Sequence, residues 1–273
     1  MKPSTPTPPE TNRTLILTHD VDWPFKGPGK AHVLARHDRF PIEVIKRVAD
    51  EGFNPYYGVP RVMEIEEKFG VRSTFFFRPK YDDGSPVNEY AKTMQTLISG
   101  GWEVGLHCNK TATLKEVQEE KGLVEGAVGK SVCGTRVHYL NVGAGTFANL
   151  WGAGIKYDSS LSFGKDQIDT RNTGYVDKEG LIVFPVTFMD AYLFTYMGLN
   201  EETIVPFVVK TIQNLFTSGV SVMTLLWHDN SVMMKGGRAY ADLIKQLTAL
   251  PKITFLKGIE AYQMIQKQKS TKS

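Results

Sequence analysis

Leu15-Ile16-Leu17-Thr18-His19-Asp20-Val21-Asp22 is the stretch from which the rest of the chain can be read. An apolar run leads into two carboxylates and an imidazole within five residues. Read as a strand, it places Asp20 and Asp22 on one face, about 7 Å apart along the chain, and His19 on the other. Two acids on one face at the C-terminal end of a strand are costly unless a cation or a proton separates them. A metal site with an adjacent base meets that requirement. His19, facing away, reads as structural.

Working outward, six more apolar runs have strand character: Ser73–Phe77, Glu103–His107, Val132–Arg136, Leu181–Val186, Val220–Trp227 and Ile253–Leu256. Several are rich in Val, Ile, Phe or Thr. Helical patterns separate them, at Pro41–Glu51, Val87–Ser99, Thr113–Gly129, Glu201–Thr217, Gly237–Leu250 and Gly258–Lys267. Alternating strand and helix argues for a parallel sheet or barrel. Seven strands in one repeating order suit a single barrel-like domain over residues 13–267. Residues 1–12, rich in Pro and Thr, read as a disordered lead-in, and residues 268–273 as a frayed end. The polar stretch Phe163–Gly180 reads as a surface excursion near the site.

Composition narrows the function. The 273 residues carry a formal charge of only +3, with Lys and Arg spread along the chain, so no electrostatic case for nucleic acid arises. Cys108 and Cys133 form no CxxC pair and are expected as buried free thiols. Residues 1–12 do not read as a signal peptide and no run reaches membrane-spanning length, so a cytoplasmic location is expected. The stretch Lys30–His37, with His32, Arg36 and His37, is basic enough to attract an anionic sugar.

Chemistry gathers at strand ends. His107 ends the third run, Arg136 and His138 follow the fourth, and His228 follows Leu225-Leu226-Trp227. One such residue means little; four strand ends in register make a shared site. A divalent metal at a hydrolytic site takes two or three protein ligands and keeps one position open. Asp22, His107 and His138 are the candidate ligands, with zinc the best match to two imidazoles and a carboxylate. Asp20 is the candidate base for the attacking water, Arg136 its orienting partner, and His228 the acid for the leaving group. Tyr139 and Trp227 are candidates to stack on a sugar ring, and Asp190 to line the pocket.

In this order the motifs resemble the polysaccharide deacetylases, the NodB-homology carbohydrate esterases, and among them a divergent branch whose first motif reads THDVD. The resemblance runs from about Thr14 to Leu256. It implies a distorted (β/α)7 barrel and a metal-dependent hydrolase that removes an acyl group, in the first instance acetyl, from an amino sugar or polysaccharide precursor. Asp20 matches the base and Asp22 the metal-binding acid. Glu103-Val104-Gly105-Leu106-His107 matches the first half of the second motif. Arg136 matches the third, and Leu225-Leu226-Trp227-His228 the last. Tyr157-Asp158-Ser159-Ser160-Leu161 resembles a segment near the substrate groove, and Phe184-Pro185 to Asp190 a strand with an acid after it. One departure stands out: the second motif's other His is Thr111 here. His138 is inferred, from chemistry alone, to take its place. The rival expectations are a hydrolase of the same fold acting on a non-sugar amide, and a degenerate site kept for binding carbohydrate.

Overall fold

Strand β1 (Arg13–Val21) is buried along nearly its whole length in the computed structural model, which describes residues 13–271. Nine more strands join it: β2 (Thr74–Phe77), β3 (Glu103–Cys108), β4 (Gly134–Val137), β5 (Tyr157–Asp158), β6 (Val176–Lys178), β7 (Leu181–Val183), β8 (Phe188–Met189), β9 (Val222–Leu226) and β10 (Ile253–Leu256). Their order is β6-β7-β5-β4-β3-β2-β1-β9-β8. β10 pairs with the first half of β1, and β2 with its last four residues. All pairings between strands are parallel except the β6–β7 hairpin, which turns at Glu179 and Gly180, both at positive φ. The sheet curls until Thr173, ahead of β6, pairs with Met223 of β9. The result is a distorted, incompletely closed barrel, as expected, but with ten strands in place of seven.

Period-two alternation divides β1 cleanly. Leu15, Leu17 and Val21 face outward into the large core under the surrounding helices. Ile16 faces inward, into a smaller core with Phe76, Tyr157, Ile182, Phe184 and Val222. The last helix plugs this interior, burying Ala261 and Ile265; it runs from Gly258 to Ser270, and so continues three residues past the end the sequence pattern suggests. Two glycines make the interior packable. A Cβ on Gly105 would lie 2.4 Å from the Phe76 ring, and one on Gly134 would lie 2.1 Å from the Tyr157 ring. The floor is polar but satisfied. Glu103 accepts from Tyr157, Thr74 and the backbone N–H of Ile259, a carboxylate set at the N-terminus of the plugging helix.

Ten helices occur among the described residues. Four escaped the sequence reading: Lys30–Leu34, Val59–Lys68, Thr146–Gly152 and Asp190–Thr195. Residues 1–12, read as a lead-in, lie outside the described residues. Cys108 is buried, its thiol donating to Glu120, while Cys133 is only half-buried. No helix among the described residues is long and apolar enough to cross a membrane.

Candidate metal centre and active site

The inward residues at the C-terminal ends of β1, β3 and β4 meet over the interior core. His107 and Arg136 are register partners on adjacent strands, and Asp20 sits across the barrel mouth from them. Arg136 is fully buried, and its donors are spent locally. Nη1 donates to Asp20 Oδ1 at 2.8 Å, Nη2 to Thr18 and Ser159 hydroxyls, and Nε to the Ser159 carbonyl. The guanidinium also lies over Phe76, 4.8 Å from the ring centroid. A buried Arg with this many acceptors is a fixed object, so Asp20 is held in one orientation. Asp20 Oδ2 remains 3.7 Å from His107 Nε2.

Asp22 lies one residue beyond β1. Its Oδ1 is 3.0 Å from His107 Nε2 and 3.9 Å from His138 Nε2, and its Oδ2 is 3.6 Å from His228 Nε2. Asp22 Oδ1 is buried without a hydrogen-bond partner among the described residues. His107 Nδ1 lies 2.8 Å from the Arg136 carbonyl. A carbonyl only accepts, so Nδ1 carries the hydrogen, and Nε2, when unprotonated, turns its lone pair toward Asp22. Two lone pairs would then face each other, an arrangement that either a proton on Nε2 or a cation between them resolves. One ligand atom each from Asp22, His107 and His138 lie within 4.8 Å of one another. Donors around a tetrahedral zinc stand about 3.3 Å apart, so the group fits a divalent metal with modest adjustment.

The titration of these groups follows from their surroundings. Burial pushes Asp22 up, but the facing His107 and the more distant His228 and His138 outweigh it and hold it well below the usual carboxylate range. Burial, with the His107 charge, brings His138 down to about 4, so its ring is neutral and able to ligate. Burial would lower His107, yet Asp20 and Asp22 raise it above its ordinary value. His228 is likewise desolvated, but Asp190 lifts it to about 10.

One expected substrate contact, Trp227, needs correction. Trp227 is fully buried, packed against Phe194 and Tyr240. It continues the outward face of β9 with Met223 and Leu225 in the large core, so it cannot stack on a ligand in the mouth. Asp190 lines the cavity beside His228; its side chain is buried, and its oxygens serve His228. Oδ1 lies 2.6 Å from His228 Nδ1, and Oδ2 accepts from the His228 backbone N–H and the Ser231 hydroxyl. It orients the imidazole rather than reaching for a sugar. Tyr139, by contrast, is 83% exposed, at positive φ, with its ring stacked on His138 at 3.8 Å.

Supporting residues complete the site, and one of them, Arg78, carried no signal in the sequence. Arg78 is almost fully buried and reaches the Asp22 carbonyl at 3.4 Å while pairing with Asp82 and Asn109. Ser159 anchors Arg136, and Ser160 accepts from the Val137 N–H, so the Tyr157–Leu161 stretch acts by holding β4. Thr111, where a second His was expected, pairs with Thr146 instead.

No protein-family model matches the chain, and no curated protein matches it. Solved structures do. A protein assigned as a polysaccharide deacetylase from Mycobacterium smegmatis superposes with a TM-score of 0.69 at 18% identity, covering 97% of this chain and 94% of that one. The chain has the polysaccharide deacetylase fold. An allantoinase, PuuE, superposes at a TM-score of 0.65 and 12% identity, over 95% of this chain and 93% of that one. A CE4 family pseudoenzyme from Bacillus anthracis superposes at 0.53 and 14%, over 93% of this chain and 66% of that one. Structures of this fold thus include proteins described as a polysaccharide deacetylase, an allantoinase and a pseudoenzyme. Within that fold the Asp22, His107 and His138 group sits at the strand ends, where chemistry in such barrels gathers.

Proposed function

We propose that the protein is a metal-dependent hydrolase that removes an acyl group, acetyl in the first instance, from an amino sugar or a polysaccharide precursor. The observation that carries this reading is Asp22 Oδ1, buried and unpartnered, facing the Nε2 atoms of His107 and His138. A divalent metal, zinc by preference for this donor set, would be held by these three side chains and would polarise the acyl carbonyl and acidify water.

This chain's own residues supply the proton transfers. Asp20 Oδ2 takes the proton of the attacking water, while Arg136 occupies Oδ1 and keeps the carboxylate aligned. On the opposite side of Asp22, His228 gives its Nε2 proton to the departing nitrogen or oxygen. Asp190 keeps that proton in place through neutral pH. The fold of deacetylase structures supports a sugar substrate, and Tyr139 offers an exposed ring beside the cluster.

A second reading is a hydrolase of a small non-sugar amide, supported by the likeness to an allantoinase. The test is metal content by mass spectrometry on wild type and His138→Ala, followed by acetate release from N-acetylated oligosaccharides. Stoichiometric metal in the wild type, its loss in the variant, and metal-dependent acetate release support the proposal. Bound metal with hydrolysis of allantoin and no acetate release favours the second reading. Absence of metal after zinc or cobalt addition, with glycan binding retained, makes the protein a binding module.

A further inference from the structure

The candidate centre opens into two arms rather than one pocket. A cavity of about 520 Å³ extends to one side, lined by Trp23, Arg39, Met234 and Lys235. A second, of about 380 Å³, extends to the other, lined by Tyr139, Lys165, Tyr192 and Tyr196. Both include Asp22, Ala191, Thr195 and His228, so they are one groove crossing the site. A single sugar ring fills only part of it.

The arms differ in chemistry. In the second, Tyr192 and Tyr196 meet edge to face at 5.7 Å, and Lys165 lies over both rings. Together with Tyr139 this is an aromatic arm whose cation is already engaged. In the first, Arg39 and Lys235 are side by side, joined through the Lys235 N–H and the Arg39 carbonyl at 2.9 Å. Neither side chain has an ion pair or a hydrogen bond among the described residues. The nearby Arg238 shows the contrast, since it is paired with both Glu43 and Glu201. The acids that line this arm are spent elsewhere, Asp190 on His228 and Asp22 in the ligand group. Burial, with Arg36 and Arg39 adding to it, holds His32 beside Trp23 below its ordinary value. Two unneutralised cations on the wall of a groove focus potential on an anion there.

We propose that the groove takes an extended, anionic acylated sugar, with a carboxylate or phosphate of the substrate between Arg39 and Lys235 and a neighbouring ring on the Tyr139, Tyr192 and Tyr196 arm. This rests on the deacetylase reading of the same site and specifies its substrate class. The acyl group then lies over Asp20, Asp22 and His228, at the junction of the arms.

The test uses the full chain and three probes: chitotetraose, which is neutral; a hyaluronan tetrasaccharide, which carries carboxylates; and UDP-N-acetylglucosamine, which carries phosphates. Binding is measured by calorimetry on metal-free protein, and acetate release on zinc-loaded protein. At least one anionic probe is expected to bind about tenfold tighter than chitotetraose, and which one does so identifies the anion. Raising NaCl from 50 to 500 mM, or the exposed double substitution Arg39→Ala with Lys235→Ala, removes that preference and leaves chitotetraose binding unchanged within twofold. Equal binding of all three probes, no binding of any, or a preference that survives both salt and the double substitution overturns the proposal. A salt-sensitive anion preference without acetate release from any probe overturns the deacetylase reading and leaves the anion site standing.

Discussion

His228 owes its proton to Asp190. Burial alone would discharge the imidazole, but the carboxylate 2.6 Å from Nδ1 lifts it to about 10. A general acid has to be protonated to act, so the alkaline limb of the rate profile belongs near that value. Asp190→Asn removes the largest of the charges that hold the proton and leaves the burial, opposed only by the lesser effects of Asp22 and Asp20, so the imidazole's pKa falls. Activity at pH 8 is then expected to drop at least about tenfold, with the alkaline limb displaced to lower pH and KM little changed. A pH profile of acetate release checks this; an unmoved alkaline limb removes His228 from the acid's role. The His of the first motif is held as firmly and does a different job. His19 Nδ1 lies 2.6 Å from the Trp227 carbonyl and Nε2 lies 2.9 Å from Glu66, which also accepts from Ser73, Trp102 and Tyr240. It ties the end of β1 to the residue before His228. His19→Phe leaves Glu66 buried and short of its partner, at a cost of about 3 kcal/mol, read as a lowered urea midpoint at unchanged m-value.

At the scale of elements, the barrel interior depends on where side chains are missing. Tyr157 is clamped between Gly134 of β4 and Gly258 at the start of the plugging helix, where an added Cβ would lie 2.1 and 2.3 Å from its ring. Gly134→Ala and Gly258→Ala are each expected to destabilise by about 1–3 kcal/mol. In a Tyr157→Leu background both penalties should shrink, since the clashing ring is gone; thermal melts of the six proteins in these two cycles measure that coupling, and additive penalties would locate the strain elsewhere. The same alternation shows what the sequence made legible. The ends of β1, β3, β4 and β9 were readable because long apolar runs there stop at Asp, His or Arg. β5 and β8 were not, because two residues carry no periodicity. Trp227 was misplaced by its position next to His228; neighbours on an extended chain face opposite sides, so an inward His228 itself puts Trp227 in the outer core. Asp190 lies 38 residues before His228, and only the pairing of β8 with β9 brings them together. Thr111 leaves a ligand position vacant, and His138 lies close enough to Asp22 and His107 for one ligand atom of each to fall within 4.8 Å of the others.

At the scale of the molecule, the ligand group links parts of the chain that are remote in sequence. Asp22 belongs to the end of β1, His107 to β3 and His138 to the turn after β4, so a metal on all three ties more than a hundred residues of chain into one closed unit. Unfolding separates the three proposed ligands, so a metal held there would bind the folded chain selectively and its binding free energy would add to stability. At a hundredfold excess over Kd the gain is about 2.7 kcal/mol, which for a domain of this size moves Tm upward by about 5 °C or more. Melting the wild type with zinc and again with EDTA is expected to show that gap. His138→Ala deletes one ligand from the half-buried side of the group, away from the Arg136 and Asp20 ion pair, so the metal-free fold should melt close to the metal-free wild type. Its response to zinc, though, should shrink to a small fraction of the wild-type shift. A variant that keeps the full zinc shift would move the ligand set away from His138. A variant that melts much lower even in EDTA would make this ring a packing element rather than a ligand. Because the two readouts separate, the melt distinguishes a metal centre from a polar patch of the same three residues before any substrate is in hand.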